Sequence, residues 1–204
     1  PLGALLGALD LTPLDDGRFE GRSVEDTRPR MFGGELLAQA IVAAGRTATA
    51  RTCHALHAHF LLAGNPSLPI EYRVRRVREG RRFALRQVSV WQGRREILLA
   101  TVSFASDAPH PIVHQHEPMP AVAGPEGLRS EREHRLDVAH RMRPEDRRWL
   151  LTERAVEVRP VQPMPLFDPP AAAPVAHTWL RAIGPLPDDP LVHCAVLADR
   201  KSVV

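Results

Sequence analysis

Between Gly34 and Thr47 the apolar positions Leu36, Leu37, Ala40, Ile41 and Ala44 recur at helical spacing without an intervening proline, which predicts an α-helix. Its other faces carry Ala38, Val42 and Ala43, leaving Glu35, Gln39 and Arg46 as the polar positions. A helix this apolar reads as buried and central. From residue 69 the period shortens to two: Ile70, Tyr72 and Val74 alternate with Glu71, Arg73 and Arg75. This predicts a strand over 69–77, and strands over 82–91 and 96–106 follow across turns at Glu79-Gly80-Arg81 and Gln92-Gly93-Arg94. Turns this short impose an antiparallel meander. A strand over 54–62, a strand or hairpin over 19–24 after the Asp15-Asp16-Gly17 turn and a short apolar helix over 2–9 complete the first part of the chain. One helix against such a meander makes an α+β layer with the helix on the concave face of the sheet.

The pattern dissolves between residues 107 and 149, where prolines at 109, 111, 118, 120, 125 and 144 stand among many charges. This reads as a linker with helices near 130–140 and 144–151. Strands are predicted over 152–161 and 177–184, then a turn at 185–189, then an apolar helical run over 191–198 opened by Asp189 or Pro190. Strand, turn and helix repeat the order in which the chain began, so a second copy of the first domain starts here without its own meander. The expected domains are residues 1–108, a Pro- and charge-rich linker over 109–151, and the start of a second domain over 152–198.

Composition changes this picture little. The formal net charge of +3, with arginines spread along the strands and no aromatic interleaving, argues against a nucleic-acid groove and leaves a phosphate-bearing small ligand compatible. Two cysteines, Cys53 and Cys194, far apart in sequence, give no disulfide framework and fit a reducing cytoplasm. No apolar stretch is long enough to span a bilayer. The chain carries 26 arginines and a single lysine, Lys201, inside the final six residues Asp199-Arg200-Lys201-Ser202-Val203-Val204. Those six resemble the translation of a sequencing adapter, and residues 199–204 are read as a non-native tail, against the alternative of a natural terminus.

Candidate chemistry is sparse. The Gly33-Gly34 pair at the mouth of the central helix admits close approach to its first N–H groups, where a carbonyl oxygen or a phosphate can sit. The competing reading is a tight turn into a packed helix. His54, His57 and His59 invite a metal reading, but strand parity sets His54 on the face opposite His57 and His59, with no fourth ligand nearby, so no metal is expected. His110, His114 and His116 fall in the linker, where solvent exposure is expected. Cys53 has no motif beside it and reads as an inert thiol. Ser103 and Ser106 lack a Gly-x-Ser-x-Gly elbow, and neither a phosphate loop nor a dinucleotide fingerprint is present. Arg73, Arg75, Arg78 and Arg81 are in place to meet phosphates, although a solvated sheet face accounts for most of them.

An ordered set of stretches resembles the bacterial and peroxisomal acyl-CoA thioesterase II family. The set comprises Phe32-Gly33-Gly34 with Ala38-Gln39-Ala40, His54 and His57 before Phe60-Leu61, Pro69-Ile70, Arg78-Glu79-Gly80-Arg81-Arg82-Phe83, Gln92-Gly93, Ser103-Phe104 and Met119-Pro120. It continues through Glu157-Val158-Arg159-Pro160, Trp179-Leu180-Arg181 and Pro187-Asp188-Asp189 with His193. The resemblance implies a tandem, or double, hotdog fold of α+β class, the first hotdog complete and the second cut short after its first strands and the start of its helix. It implies hydrolysis of acyl-CoA to free fatty acid and CoA, no cofactor, acyl-CoA as the partner, a cytoplasmic location and a homo-oligomer at full length.

In that family an aspartate at the start of the second domain's central helix, with a threonine and a glutamine further on, orients and activates water, and helix N–H groups steady the oxyanion. An ungapped reading sets Ser202 at the aspartate position, and the threonine and glutamine fall beyond residue 204, so no catalytic residue is carried over and an incomplete, inactive fragment is expected. Phe32, Gly33, Gly34, His54 and His57 match family positions and are the candidate substrate-binding residues. The alternative is a non-catalytic acyl-CoA or lipid-binding hotdog. Leu191, Val196 and Leu197 are expected to lack cover, and the chain to self-associate through open strand edges.

Overall fold

A computed structural model describes residues 1–24, 30–106, 116 and 118–201. His110, His114 and Ser202, singled out above, lie outside the described residues. Two compact units emerge, residues 3–109 with 186–204 and residues 1–2 with 110–185.

The first unit contains α1 (Leu2–Ala8), β1 (Thr12–Asp15), β2 (Arg18–Gly21), α2 (Gly33–Gly45), β3 (Thr52–Phe60), β4 (Ile70–Glu79), β5 (Phe83–Gln92) and β6 (Arg95–Ala105). The strands form one antiparallel sheet in the order β1-β2-β4-β5-β6-β3. The expected meander is β4-β5-β6. The hairpin starts earlier than its apolar pattern implied, because β1 pairs with β2 across a turn in which Gly17 adopts φ 79°. Any Cβ at Gly17 would also stand 2.8 Å from the Val74 carbonyl oxygen, so both conformation and space require glycine.

Alternation along the meander sets Ile70, Tyr72, Ala84, Val88, Val90, Leu98, Ala100, Val102 and Phe104 into the core, and α2 contacts this sheet on five strands. Ten of the thirteen residues of α2 are buried. That burial has a second source: α5 (Pro190–Lys201) packs along α2, giving the latter a protein neighbour on the side away from the sheet. Asp189 opens α5, accepting the Leu191 N–H on its side chain at 2.8 Å, with Pro190 as the first helical residue. The helix α2 ends at Gly45, short of the expected Thr47, because the Thr47 N–H and hydroxyl both donate to the Ala44 carbonyl and tighten the last turn.

The second unit holds α3 (Glu131–Asp137), a 3-10 turn at Ala139–Arg141, α4 (Pro144–Leu150), β7 (Val156–Pro160) and β8 (Thr178–Ala182). Ser130 and Glu133 form a capping box that fixes the start of α3. The strand expected from residue 152 begins at Val156, since the Thr152 hydroxyl donates back to the Arg148 carbonyl at 2.6 Å and belongs to the end of α4. β7 and β8 pair as an antiparallel ribbon. The Arg159 guanidinium donates to the Pro125 carbonyl at 2.8 Å and the Trp179 indole to the Ala123 carbonyl at 2.9 Å, pinning the proline-rich segment against the ribbon.

Candidate functional site

The mouth of α2 is shaped by its glycines. Phe32 precedes the helix in extended conformation and makes no side-chain cap. A Cβ at Gly33 would lie 2.9 Å from the Phe60 ring, and one at Gly34 would overlap the backbone carbonyl of Asp199 in α5. The two helices run antiparallel, so that Gly34 meets Asp199 at one end and Gly45 meets the Leu191 side chain at the other. This sets the C-terminal carbonyls of α5 beside the N-terminal N–H groups of α2, a favourable pairing of opposed helix dipoles. Gly34 and Gly45 supply the small side of the contact. Leu191 is half-buried and Val196 buried, contrary to the expectation that α5 lacks cover; Leu191 lies against Gly45 of α2, and Leu197 alone of the three is exposed.

The polar residues of α2 face the sheet and are bonded. The Glu35 carboxylate accepts from the Val24 N–H at 2.6 Å and the Ser23 hydroxyl at 2.9 Å. One turn on, the fully buried Gln39 accepts from the Tyr72 hydroxyl at 2.7 Å and donates to the Arg22 carbonyl at 2.9 Å. Burial, aided by the Glu35 charge, pushes the Tyr72 phenol well above its ordinary value, so it stays a neutral donor. These bonds hold the segment entering α2 against β4. Beside it, Met31 donates its N–H to Gly64, and the Gln92 amide ties down the loop after β3 through Asn65 and Leu68. Phe60, Leu61 and Leu62 of that region are exposed, next to Gly33.

The histidines sit elsewhere. A bulge between Cys53 and Ala55 shifts the register of β3, so that Ala55, His57 and His59 pair with Ser103, Thr101 and Leu99 on the outer face. His54 reaches Ser103 Oγ with Nε2 at 2.9 Å and meets Phe83 edge-on. It therefore shares the outer face with His57 and His59, correcting the parity reading. All three are exposed, and no group of three potential metal ligands occurs among the described residues. Phe32, Gly33 and Gly34 thus lie together at the helix mouth, on the opposite side of the sheet from His54 and His57.

Arginine chemistry divides along the same line. Arg73 pairs with Glu71 and lies 4.6 Å over the Trp91 ring, while Arg75 donates to Gln87. Arg86, absent from the sequence candidates, is 1% exposed and donates to the Thr47 hydroxyl and carbonyl, the Arg78 carbonyl and the Glu79 carboxylate. Strict alternation of β5 places it inward with Ala84, Val88 and Val90, and that parity was the available signal. In the second unit a cleft of about 450 Å³ lies between α3 and residues 160–178; its Arg135 and Arg141 are paired with Glu131 and Asp168.

Residues 23–105 match the family model described as the acyl-CoA thioesterase N-terminal domain. The chain is 31% identical over 198 residues to acyl-CoA thioesterase 2 of Haemophilus influenzae, covering 97% of this chain and 68% of the relative. The chain belongs to the acyl-CoA thioesterase II family. It is also 35% identical over 199 residues to human acyl-coenzyme A thioesterase 8, covering 93% of this chain and 62% of that protein's length. Among solved structures, a tesB protein of Mycobacterium avium subspecies paratuberculosis superposes with TM-score 0.74 at 28% identity, covering 98% of this chain and 68% of the other. Acyl-CoA thioesterase II TesB2 of Mycobacterium marinum superposes with TM-score 0.70 at 28% identity, covering 97% and 66%. A hot dog fold protein of Alicyclobacillus acidocaldarius, 22% identical with TM-score 0.69, agrees in fold. The six-stranded sheet around α2 is thus the first hotdog of a thioesterase II family double hotdog. No helix among the described residues is long and apolar enough to cross a membrane.

Proposed function

We propose that this thioesterase II family protein hydrolyses acyl-CoA to free fatty acid and CoA in the cytoplasm, in the service of fatty acid metabolism. The observation that carries the reading is the antiparallel seating of α5 on α2, with Gly45 against the Leu191 side chain, in a chain whose matched relatives are named thioesterases. Phe32, Gly33 and Gly34 form the substrate-facing end of the first hotdog, and the exposed Phe60, Leu61 and Leu62 offer an apolar surface for the acyl chain beside them. His54 and His57, on the outer sheet face, act at most on the peripheral part of the ligand. The domain division follows: residues 1–108 as the first hotdog, 109–151 as linker and 152–198 as part of the second, whose helix packs on the first. None of the described residues is assigned as general base. The full-length family member is expected to assemble as a homo-oligomer.

The test is chromatographic separation of acyl-CoA, CoA and free acid after incubation of the full-length protein with saturated acyl-CoAs of graded length. Equimolar appearance of CoA and acid supports the reading. Retention of acyl-CoA on the protein without turnover would leave a binding hotdog instead.

A further inference from the structure

The two cysteines, 141 positions apart, come together in the fold. Cys53 in β3 pairs with the fully buried Phe104 and so faces the inner side of the sheet, where α5 lies. From α5, the Cys194 Sγ approaches the Cys53 carbonyl oxygen to 3.6 Å, and the two thiols are within interaction range of each other. Both are half-buried and both are free thiols. They are the chain's entire cysteine complement, so no third thiol competes for either. A disulfide needs two such side chains on neighbouring elements, and α5 contacts β3 directly while its packing on α2 holds it in place.

We propose that Cys53 and Cys194 are an oxidative modification site: a hydroperoxide joins them in one intramolecular disulfide that staples α5 to β3. In the first step one thiolate attacks a peroxide oxygen, the O–O bond breaks, and a sulfenic acid forms as hydroxide leaves. In the second, the other thiol's sulfur attacks the sulfenic sulfur, an S–S bond forms and water leaves. Two thiols and one hydrogen peroxide thus give one disulfide and two waters, the sulfurs losing the two electrons that the peroxide gains.

Burial raises both thiols, Cys53 to about 11, so the reactive thiolate is scarce near neutrality. The fraction of thiolate rises roughly tenfold per pH unit below that value, and the rate of cross-linking follows it. The site is therefore slow at pH 7, and closure joins segments whose separation in the unfolded chain is large, which restricts that chain most effectively.

The experiment is oxidation of the protein with hydrogen peroxide at pH 7 and pH 9, followed by intact-mass measurement, thiol titration in denaturant and tryptic mapping without reductant. The expected result is a monomer lighter by about 2 Da, a fall from two titratable thiols to none, and a joined pair of peptides carrying Cys53 and Cys194. The rate should be about a hundredfold higher at pH 9. Dithiothreitol should restore both thiols, and the melting midpoint of the oxidised protein should exceed that of the reduced protein, a difference absent in Cys194→Ser. Covalent dimers as the main product, or two thiols still titratable after oxidation at pH 9, would overturn the proposal.

Discussion

The six-stranded sheet and the β7–β8 ribbon are built from similarly alternating strands, yet only the first makes a core. Its inner positions Tyr72, Val88, Val90, Leu98, Val102 and Phe104 are fully buried because α2 lies over them. In the ribbon only Val156 is buried, and Leu180 remains 41% exposed. What holds the ribbon in place is polar: Glu157 bridging Arg159 and Arg181, with Arg159 and Trp179 bonded to backbone carbonyls of the proline-rich segment. Alternation creates a face, and a helix laid on that face turns it into a core. Helix α3 contacts β7 but buries none of its own residues, and a two-stranded ribbon with so little cover is marginal.

The widest break in this comparison should come from paired truncations. Phe104→Ala is expected to cost about 3–5 kcal/mol, whereas Leu180→Ala should cost less than about 1 kcal/mol, read as changes in urea midpoint. A smaller effect follows from the polar side of the core. Tyr72→Phe removes the hydroxyl that donates to Gln39 and should cost about 1–3 kcal/mol without moving the urea slope.

The smallest effect lies on the sheet surface. Hydrogen bonds from Arg73 and then Arg18 pull the Glu71 carboxyl down to about 2, below its ordinary 4.5. A depressed folded-state value stabilises above the unfolded pKa and is lost as pH falls through the folded one, so the contribution fades between about pH 4.5 and 2. Solvent screening limits it to under about 1 kcal/mol. Glu71→Gln should lower stability at pH 7 by that amount, leave it nearly unchanged near pH 2 and so flatten the profile between, as measured by urea titrations across pH.

Most of the first hotdog was legible from period alone: the 3.6-residue stripe of α2, the alternation of β4 to β6 and the glycine turns between them. Arg86 was legible too, since alternation alone turns it inward, but its partners on Thr47 and Glu79 depend on how α2 closes on the sheet. The outward turn of His54 was not legible, because a bulge adds one residue and reverses parity without a local signature. Nor was the meeting of Cys53 with Cys194, or the cover that α2 gives Leu191. Both depend on α5 seating against the first hotdog, a long-range choice that reaches the sequence only as the small residues Gly34 and Gly45.

That seating is tested most directly by a double-mutant cycle of Gly45→Ala and Leu191→Ala, read by urea unfolding. A methyl at Gly45 would meet the Leu191 side chain, and shortening Leu191 removes the obstruction. The cycle should therefore be non-additive, with the double variant more stable than the sum of the singles by roughly 0.5–3 kcal/mol. Additivity within about 0.5 kcal/mol would contradict the antiparallel pairing of α5 with α2.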